Sequence, residues 1–185
     1  YIKYPNCWEN ITVEALRNKI EYHSPVFAHH LPFAANSFDF AYSVAVLEHL
    51  DRPDNSLAEL HRVLEPGSLT IHEVDLRDHG SADPVRFLTL SDEQYLSRTQ
   101  KYGEGLGINQ VLDGSWQGEA YCNRLRLSDW LGLFEKNGFE VLLVEPLSVI
   151  ETSELERLPI AESFAAKTLE DLSVLLVRIV ARCIK

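Results

Sequence analysis

The chain has 185 residues, 45% of them hydrophobic, and a formal charge of −11, enough apolar material for the core of one globular domain with no sign of a second. The acidic balance argues against nucleic acid as a partner, because affinity for a phosphate backbone rests on clustered Lys and Arg. Cys7, Cys122 and Cys183 are odd in number and widely spaced, with neither CxxC nor zinc-ligand spacing, which argues against a disulfide framework and points to free thiols in a reducing cytoplasm.

In chain order, Tyr1 to Asn10 shows no period and reads as loop, Ile11 to Ile20 as a short helix, and Glu21 to Phe27 as a short strand. Phe38 to Val46 is apolar and aromatic-rich except for Asp39 and Ser43, which suits a strand buried on both faces of a parallel sheet. Asp51, Arg52, Pro53 and Asp54 open a helix carrying Leu57, Leu60, His61 and Leu64 at helical spacing, until Pro66 and Gly67 stop it. Leu69 to Leu76 is strand again, so this stretch is a βαβ unit. Ser91 and Gln94 have capping-box spacing.

The glycines of Gly103 to Gly107 imitate a nucleotide-binding loop. They lack the strand before and helix after that would aim a helix amino end at an anion, and they read as a flexible loop. Ser128 is expected to cap a helix through Asn137, with Gly138 as its stop and Phe139 packing back on Phe134. Glu140 to Glu145 reads as a strand ended by Pro146, Glu151 to Ala166 as mixed structure broken at Pro159, and Leu172 to Ile184 as a long, largely buried strand. That last run is too short to span a bilayer and contains Arg178 and Arg182, so no membrane association is expected.

The runs LPFAANSFDFAYSVAVLEHL and ELHRVLEPGSLTIHEVDLRDH resemble the second half of a class I S-adenosylmethionine-dependent methyltransferase of the type 11 group. There, LPF precedes an FD-initiated strand, LEH follows it, and RVL-x-PGG leads into the next strand. Ser68 stands where the second glycine of PGG is usual, and NRLRLSDWLGLFEKNGFEV extends the likeness. The resemblance implies an α/β, Rossmann-like doubly wound sheet, incomplete because the glycine-rich first motif lies upstream. On this reading residues 1–185 are a single methyltransferase-like domain, the later part of a larger catalytic domain. The absence of methionine and the start at Tyr1 agree with a processed chain or fragment.

Ligands of open α/β sheets bind outside the carboxyl ends of the strands. That rule selects Ser43, Val44, Ala45, Glu48 and His49 after the first strand of the unit, and Asp75, Arg77, Asp78 and His79 after the second. The resemblance implies that S-adenosylmethionine is contacted by Ser43, Val44, Ala45 and Glu48, and by Ala28 and His29 in the loop near the adenine, where Phe27 replaces the usual acid.

His49 and His79 are the general-base candidates, since a histidine titrating near neutrality suits removal of a proton from an acceptor hydroxyl. Asp75, Asn123 and Arg124, with Arg126, are candidates for holding the acceptor. His72 lies within a strand and is expected to be a satisfied core histidine. His72 and Asp75 point to opposite faces, so no metal site is expected.

The function implied by the resemblance is methyl transfer to a small molecule or glycan precursor in the cytoplasm. The alternative is a non-catalytic binding or scaffolding module on a degenerate methyltransferase fold. With early strands missing, the apolar edge of Phe38 to Val46 invites pairing with a second copy or with a separate amino-terminal half.

Overall fold

The computed structural model describes residues 20–100 and 119–185. Its elements are β1 (Phe38–Val44), α1 (Pro53–Val63), β2 (Leu64–Asp75), α2 (Asp92–Arg98), β3 (Thr99–Gln100), β4 (Glu119–Ala120), α3 (Leu127–Lys136), β5 (Phe139–Val149), α4 (Thr152–Leu155), α5 (Leu169–Ser173) and β6 (Val174–Cys183). Four strands form an open mixed sheet in the order β1-β2-β6-β5, with β1 and β2 parallel and β6 antiparallel to both neighbours. The remaining pair, β3 and β4, is a short parallel bridge.

The βαβ unit forms where the sequence places it, and two short sequence blocks explain why it is stable. Arg62 of α1 donates to the carbonyls of Leu31 and Phe33 at 3.2 and 2.9 Å, and Glu59, paired with Arg62, accepts from the N–H of Leu31 at 2.8 Å. The LPF segment is therefore tied to the ELHR helix. Pro53 occupies the start of α1, where its missing N–H costs nothing.

The strand after α1 begins earlier than expected, at Leu64. Phe38 pairs with Leu64 but Phe40 with Leu69, so the Pro66–Gly67 turn is an excursion within the strand, with Gly67 at φ +81°.

Pleating sorts the side chains. Thr70, His72 and Val74 of β2 share a face with Ala181, Ile179 and Val177 of β6, and this face packs against Leu57 of α1 and Trp130 and Phe134 of α3. The opposite face carries Ile71, Glu73, Arg178 and Val180, where Arg178 bridges Glu73 and Glu145 at 2.6 and 2.7 Å. A second cluster, built on Val85, Phe87, Leu88, Tyr95, Leu155, Phe164 and Leu172, packs the segments beyond the sheet.

Four expectations are corrected. Phe38 to Val46 is not buried on both faces: β1 is the outermost described strand, and Phe40, Tyr42 and Val44 are 48%, 66% and 46% exposed. Glu21 to Phe27 is not a strand. Its backbone closes a tight bridge from Phe27 to His30 instead, and Pro25 has no N–H to offer a ladder.

The α3 helix starts two residues earlier than a Ser128 cap would require, because Asp129 reaches back to the N–H of Arg126 at 2.9 Å while Ser128 bonds Asp171. Pro146 does not end β5, which runs to Val149. A proline is tolerated there because β5 is an edge strand and the register shifts around it.

The Ser91–Gln94 capping box forms as expected. So do the Gly138 stop, with Phe139 edge-on to Phe134 at 5.6 Å, and the long strand, β6. The helix read at Ile11 to Ile20, apart from Ile20, and the glycines of Gly103 to Gly107 lie outside the described residues. Among the described residues no helix is long and apolar enough to cross a membrane.

Candidate active site

The parallel pairing of β1 with β2 brings their carboxyl ends side by side, Ser43 facing His72 and Val44 facing Glu73. At the end of β1 the backbone turns sharply. Ala45 adopts φ +51°, its N–H donates to Glu73 O at 3.0 Å, and the chain enters a helical turn at Leu47–His49. Asn123 fixes that turn from outside: its amide donates to the carbonyls of Leu47 and Leu50, and its backbone N–H to Glu48 O at 2.7 Å.

Glu48 is therefore driven inward. It is 2% exposed, both carboxyl oxygens lack a hydrogen-bond partner, and burial raises its pKa. It shares a small cavity with Asp75, Phe87, Cys122 and Arg124.

Beside it, His49, His79 and Cys122 each offer one atom within 4.8 Å of the others, and the two imidazole centroids are 5.0 Å apart. His49 Nδ1 is 2.7 Å from Tyr121 O and 3.8 Å from Cys122 Sγ. His79 Nε2 is 3.3 Å from Asp75 Oδ2.

The electrostatics follow from these contacts. Asp75, and after it the Cys122 sulfur, push His79 up to about 10. Cys122, opposed by burial, raises His49 as well. Burial resists ionisation of Cys122, but the two imidazoles outweigh it and hold the thiol below its usual range. Burial likewise opposes charge on Asp75, and its bonds with Arg77 and His79 prevail, keeping it well below the usual carboxylate range.

The sequence-selected residues divide accordingly. His49, His79, Glu48 and Asp75 converge on one place. Ser43 lies at the strand end with its hydroxyl 2.7 Å from His72 Nδ1, and Val44 is exposed at the rim. His72 is buried, as expected, between Ser43 and Thr70, whose Oγ1 lies 2.6 Å from Nε2. Ala28 and His29 sit in the Phe27–His30 turn, where the Phe27 and His29 rings stack at 5.4 Å.

Arg124, at φ +61°, donates to the carbonyls of Phe87 and Leu90 and to Asp92, and lies 4.7 Å from the Tyr95 and Phe164 rings. Arg126, 1% exposed, donates to Leu76, Leu172 and Val174 carbonyls. Cys122 is the residue that sequence reasoning missed. Its partners are 73 and 43 positions away, and only its place directly before the NRLR run pointed to it.

A groove of about 460 Å³, of the size that takes small ligands, adjoins the cluster and is lined by Tyr95, Tyr121, Cys122, Asn123, Ser163 and Lys167, among others.

Residues 9–72 match the family model described as a methyltransferase domain. No curated protein sequence matches the chain. Among solved structures, a Listeria monocytogenes protein provisionally described as an S-adenosylmethionine dependent methyltransferase is similar with a TM-score of 0.51 and 14% identity, over 91% of this chain and 73% of that one.

An S-adenosylmethionine dependent methyltransferase from Mesorhizobium loti gives 0.49 and 16%, over 91% and 74%. The [4+2]-cyclase SpnF gives 0.46 and 18%, over 87% of this chain and 55% of the cyclase, so the chain spans little more than half of that protein's length. The methyltransferase-domain match thus covers the first described strand and helix, and the described sheet has a fold similar to that of the Listeria protein.

Proposed function

We propose that the chain transfers a methyl group from S-adenosylmethionine to a small molecule or glycan precursor. The observation that carries this reading is the convergence of His49, His79, Cys122 and Glu48 on the adjoining carboxyl ends of two parallel strands, beside a groove of ligand size.

The strand end suits the methionine part of the cofactor through its apolar surface rather than through the Ser43 hydroxyl, which His72 already engages. Val44 and Val46, 46% and 44% exposed, supply that surface around the turn at Ala45. When bound, the cofactor supplies an electrophilic methyl carbon on a sulfonium sulfur. The chain's own tasks are to hold an acceptor in line and to take its proton.

Tyr95, Tyr121 and Asn123 give the groove a mixed aromatic and polar wall, the kind a sugar or a small polar molecule fits. His79, held as a cation at neutral pH, orients the acceptor, and His49, with the smaller rise, takes the proton at an imidazole nitrogen. The free thiols of Cys122 and Cys183 support a reducing cytoplasm as the setting.

Calorimetric titration of the purified chain with S-adenosylhomocysteine tests the reading. Micromolar binding is expected, and a chain that is folded by circular dichroism yet does not bind refutes it.

A second reading, a binding module that pairs with another chain, draws support from the exposed row of Phe38, Phe40, Tyr42 and Val44 along β1. Sedimentation velocity with Tyr42→Lys separates the two. An assembly that this change dissolves, in a chain without cofactor affinity, favours the module.

A further inference from the structure

Three segments far apart in sequence meet at one point. His49 comes from the turn after β1, His79 from the loop after β2, and Cys122 from the stretch before α3, and each presents a ligand-type atom within 4.8 Å of the others. We propose that His49, His79 and Cys122 bind a divalent transition-metal cation of the zinc class, with the Glu48 carboxylate as a neighbouring counter-charge.

The donor set selects the ion. One thiolate and two imidazoles suit zinc or cobalt, whereas magnesium and calcium require an oxygen cage. Tetrahedral coordination with bonds of about 2.0 to 2.3 Å sets ligand atoms roughly 3.5 Å apart. The three side chains therefore need only small rotations to close on an ion.

Behind the ligands stand the orienting acceptors that metal-bound imidazoles keep. Asp75 Oδ2 lies 3.3 Å from His79 Nε2, and Tyr121 O lies 2.7 Å from His49 Nδ1, the nitrogen that is also 3.8 Å from Cys122 Sγ, so each ring is oriented by an oxygen acceptor beside the cluster.

A second, independent observation points the same way. Glu48 is 2% exposed with both carboxyl oxygens unpartnered, and it lines the same small cavity as Asp75 and Cys122. A buried carboxyl without a donor is costly in either protonation state, and a nearby dication supplies what it lacks.

Three protein ligands leave a coordination position open, the arrangement of catalytic rather than structural sites. Cys122 also lines the larger groove, so the cluster borders the space proposed for the acceptor. An acceptor oxygen bound there is acidified by the ion and no longer depends on an imidazole for removal of its proton. This last step rests on the methyl-transfer reading, whereas the cation site does not.

The test strips the full chain with a chelator and titrates it with Co²⁺, read by absorption. One equivalent is expected to produce tetrahedral d–d bands and a thiolate-to-cobalt charge-transfer band, both abolished by Zn²⁺. Cys122→Ser should lose the charge-transfer band, and Asp75→Asn should weaken binding by about 10- to 100-fold.

A chain that is folded by circular dichroism and shows neither band overturns the proposal, as does a charge-transfer band that survives Cys122→Ser. A parallel titration with S-adenosylhomocysteine keeps the two readings apart. Cofactor affinity without cobalt bands removes the cation site alone, and cobalt bands without cofactor affinity remove the methyl-transfer reading alone.

Discussion

Gly67 and Gly138 share the same backbone conformation, φ +81°, but not the same surroundings, and this makes them a controlled pair. A Cβ at Gly67 meets nothing within 4 Å, so Gly67→Ala adds only the left-handed penalty of about 1 to 2 kcal/mol, partly offset by a stiffer unfolded chain. A Cβ at Gly138 stands 2.7 Å from His61 Nε2 and 3.3 Å from Ile184 O.

His61 cannot yield freely. Its Nε2 lies 2.8 Å from Ile184 O, and its ring packs edge-on against Phe139 at 5.5 Å. Displacing it forfeits a hydrogen bond and a ring contact of about 1 kcal/mol each. Gly138→Ala should therefore cost roughly 2 kcal/mol more than Gly67→Ala, read as the difference in unfolding free energy from urea titrations.

The double-mutant cycle isolates the cause. In a His61→Ala background most of the excess should be lost, leaving only what the Ile184 carbonyl at 3.3 Å imposes. An excess below about 0.5 kcal/mol, or one that is undiminished without the imidazole, refutes this reasoning.

His72, buried between Ser43 and Thr70 and beside the Phe134 ring, is held neutral because burial lowers its pKa from 6.5 to about 4. Between those values the unfolded chain binds the proton and the folded chain does not, so stability should fall by roughly 3 kcal/mol as pH drops from 6.5 to 4. His72→Gln should flatten that slope in urea titrations. Arg126→Leu removes the donors to three buried carbonyls and should lower unfolding free energy by about 3 to 5 kcal/mol, whereas a loss under about 1 kcal/mol would contradict the role assigned to the guanidinium. Because Glu48 has no donor and a raised pKa, Glu48→Gln should leave the urea midpoint of the metal-free chain unchanged or raised, while weakening cobalt binding.

The sequence was informative wherever one element's pattern decided the outcome. The apolar spacing of Leu57 and Leu60, the Ser91–Gln94 box, and the Gly138 stop are local devices and formed as read, although the helix ends at Val63 and Leu64 opens β2. It misled where a neighbour decided. Aromatic content alone made Phe38 to Val46 look doubly buried, but burial depends on what lies beside and over a strand, and β1 stands at the described edge. Proline ends a central strand but not an edge strand, and nothing local says which position β5 holds. For the site, the strand-end rule found His49, Glu48, Asp75 and His79, because each follows its strand directly. Cys122 was beyond that rule.

The NRLR run shows why a sequence-distant thiol reaches that place. Asn123 bonds the carbonyls of Leu47, Glu48 and Leu50, Arg124 those of Phe87 and Leu90, and Arg126 that of Leu76. These are ties from one short segment to the ends of both parallel strands and to the second hydrophobic cluster. The terminal donors of Arg126 point at main-chain oxygen, and those of Arg124 at main-chain oxygen and the Asp92 carboxylate, so neither presents a free fork to an anion. What the motif accomplishes is position: it lays residues 121–123 across the strand ends, so that Tyr121 O meets His49 and Cys122 Sγ comes within 4.8 Å of a nitrogen of each imidazole. Guanidinium groups thus act as scaffolding for the side chains they bring together.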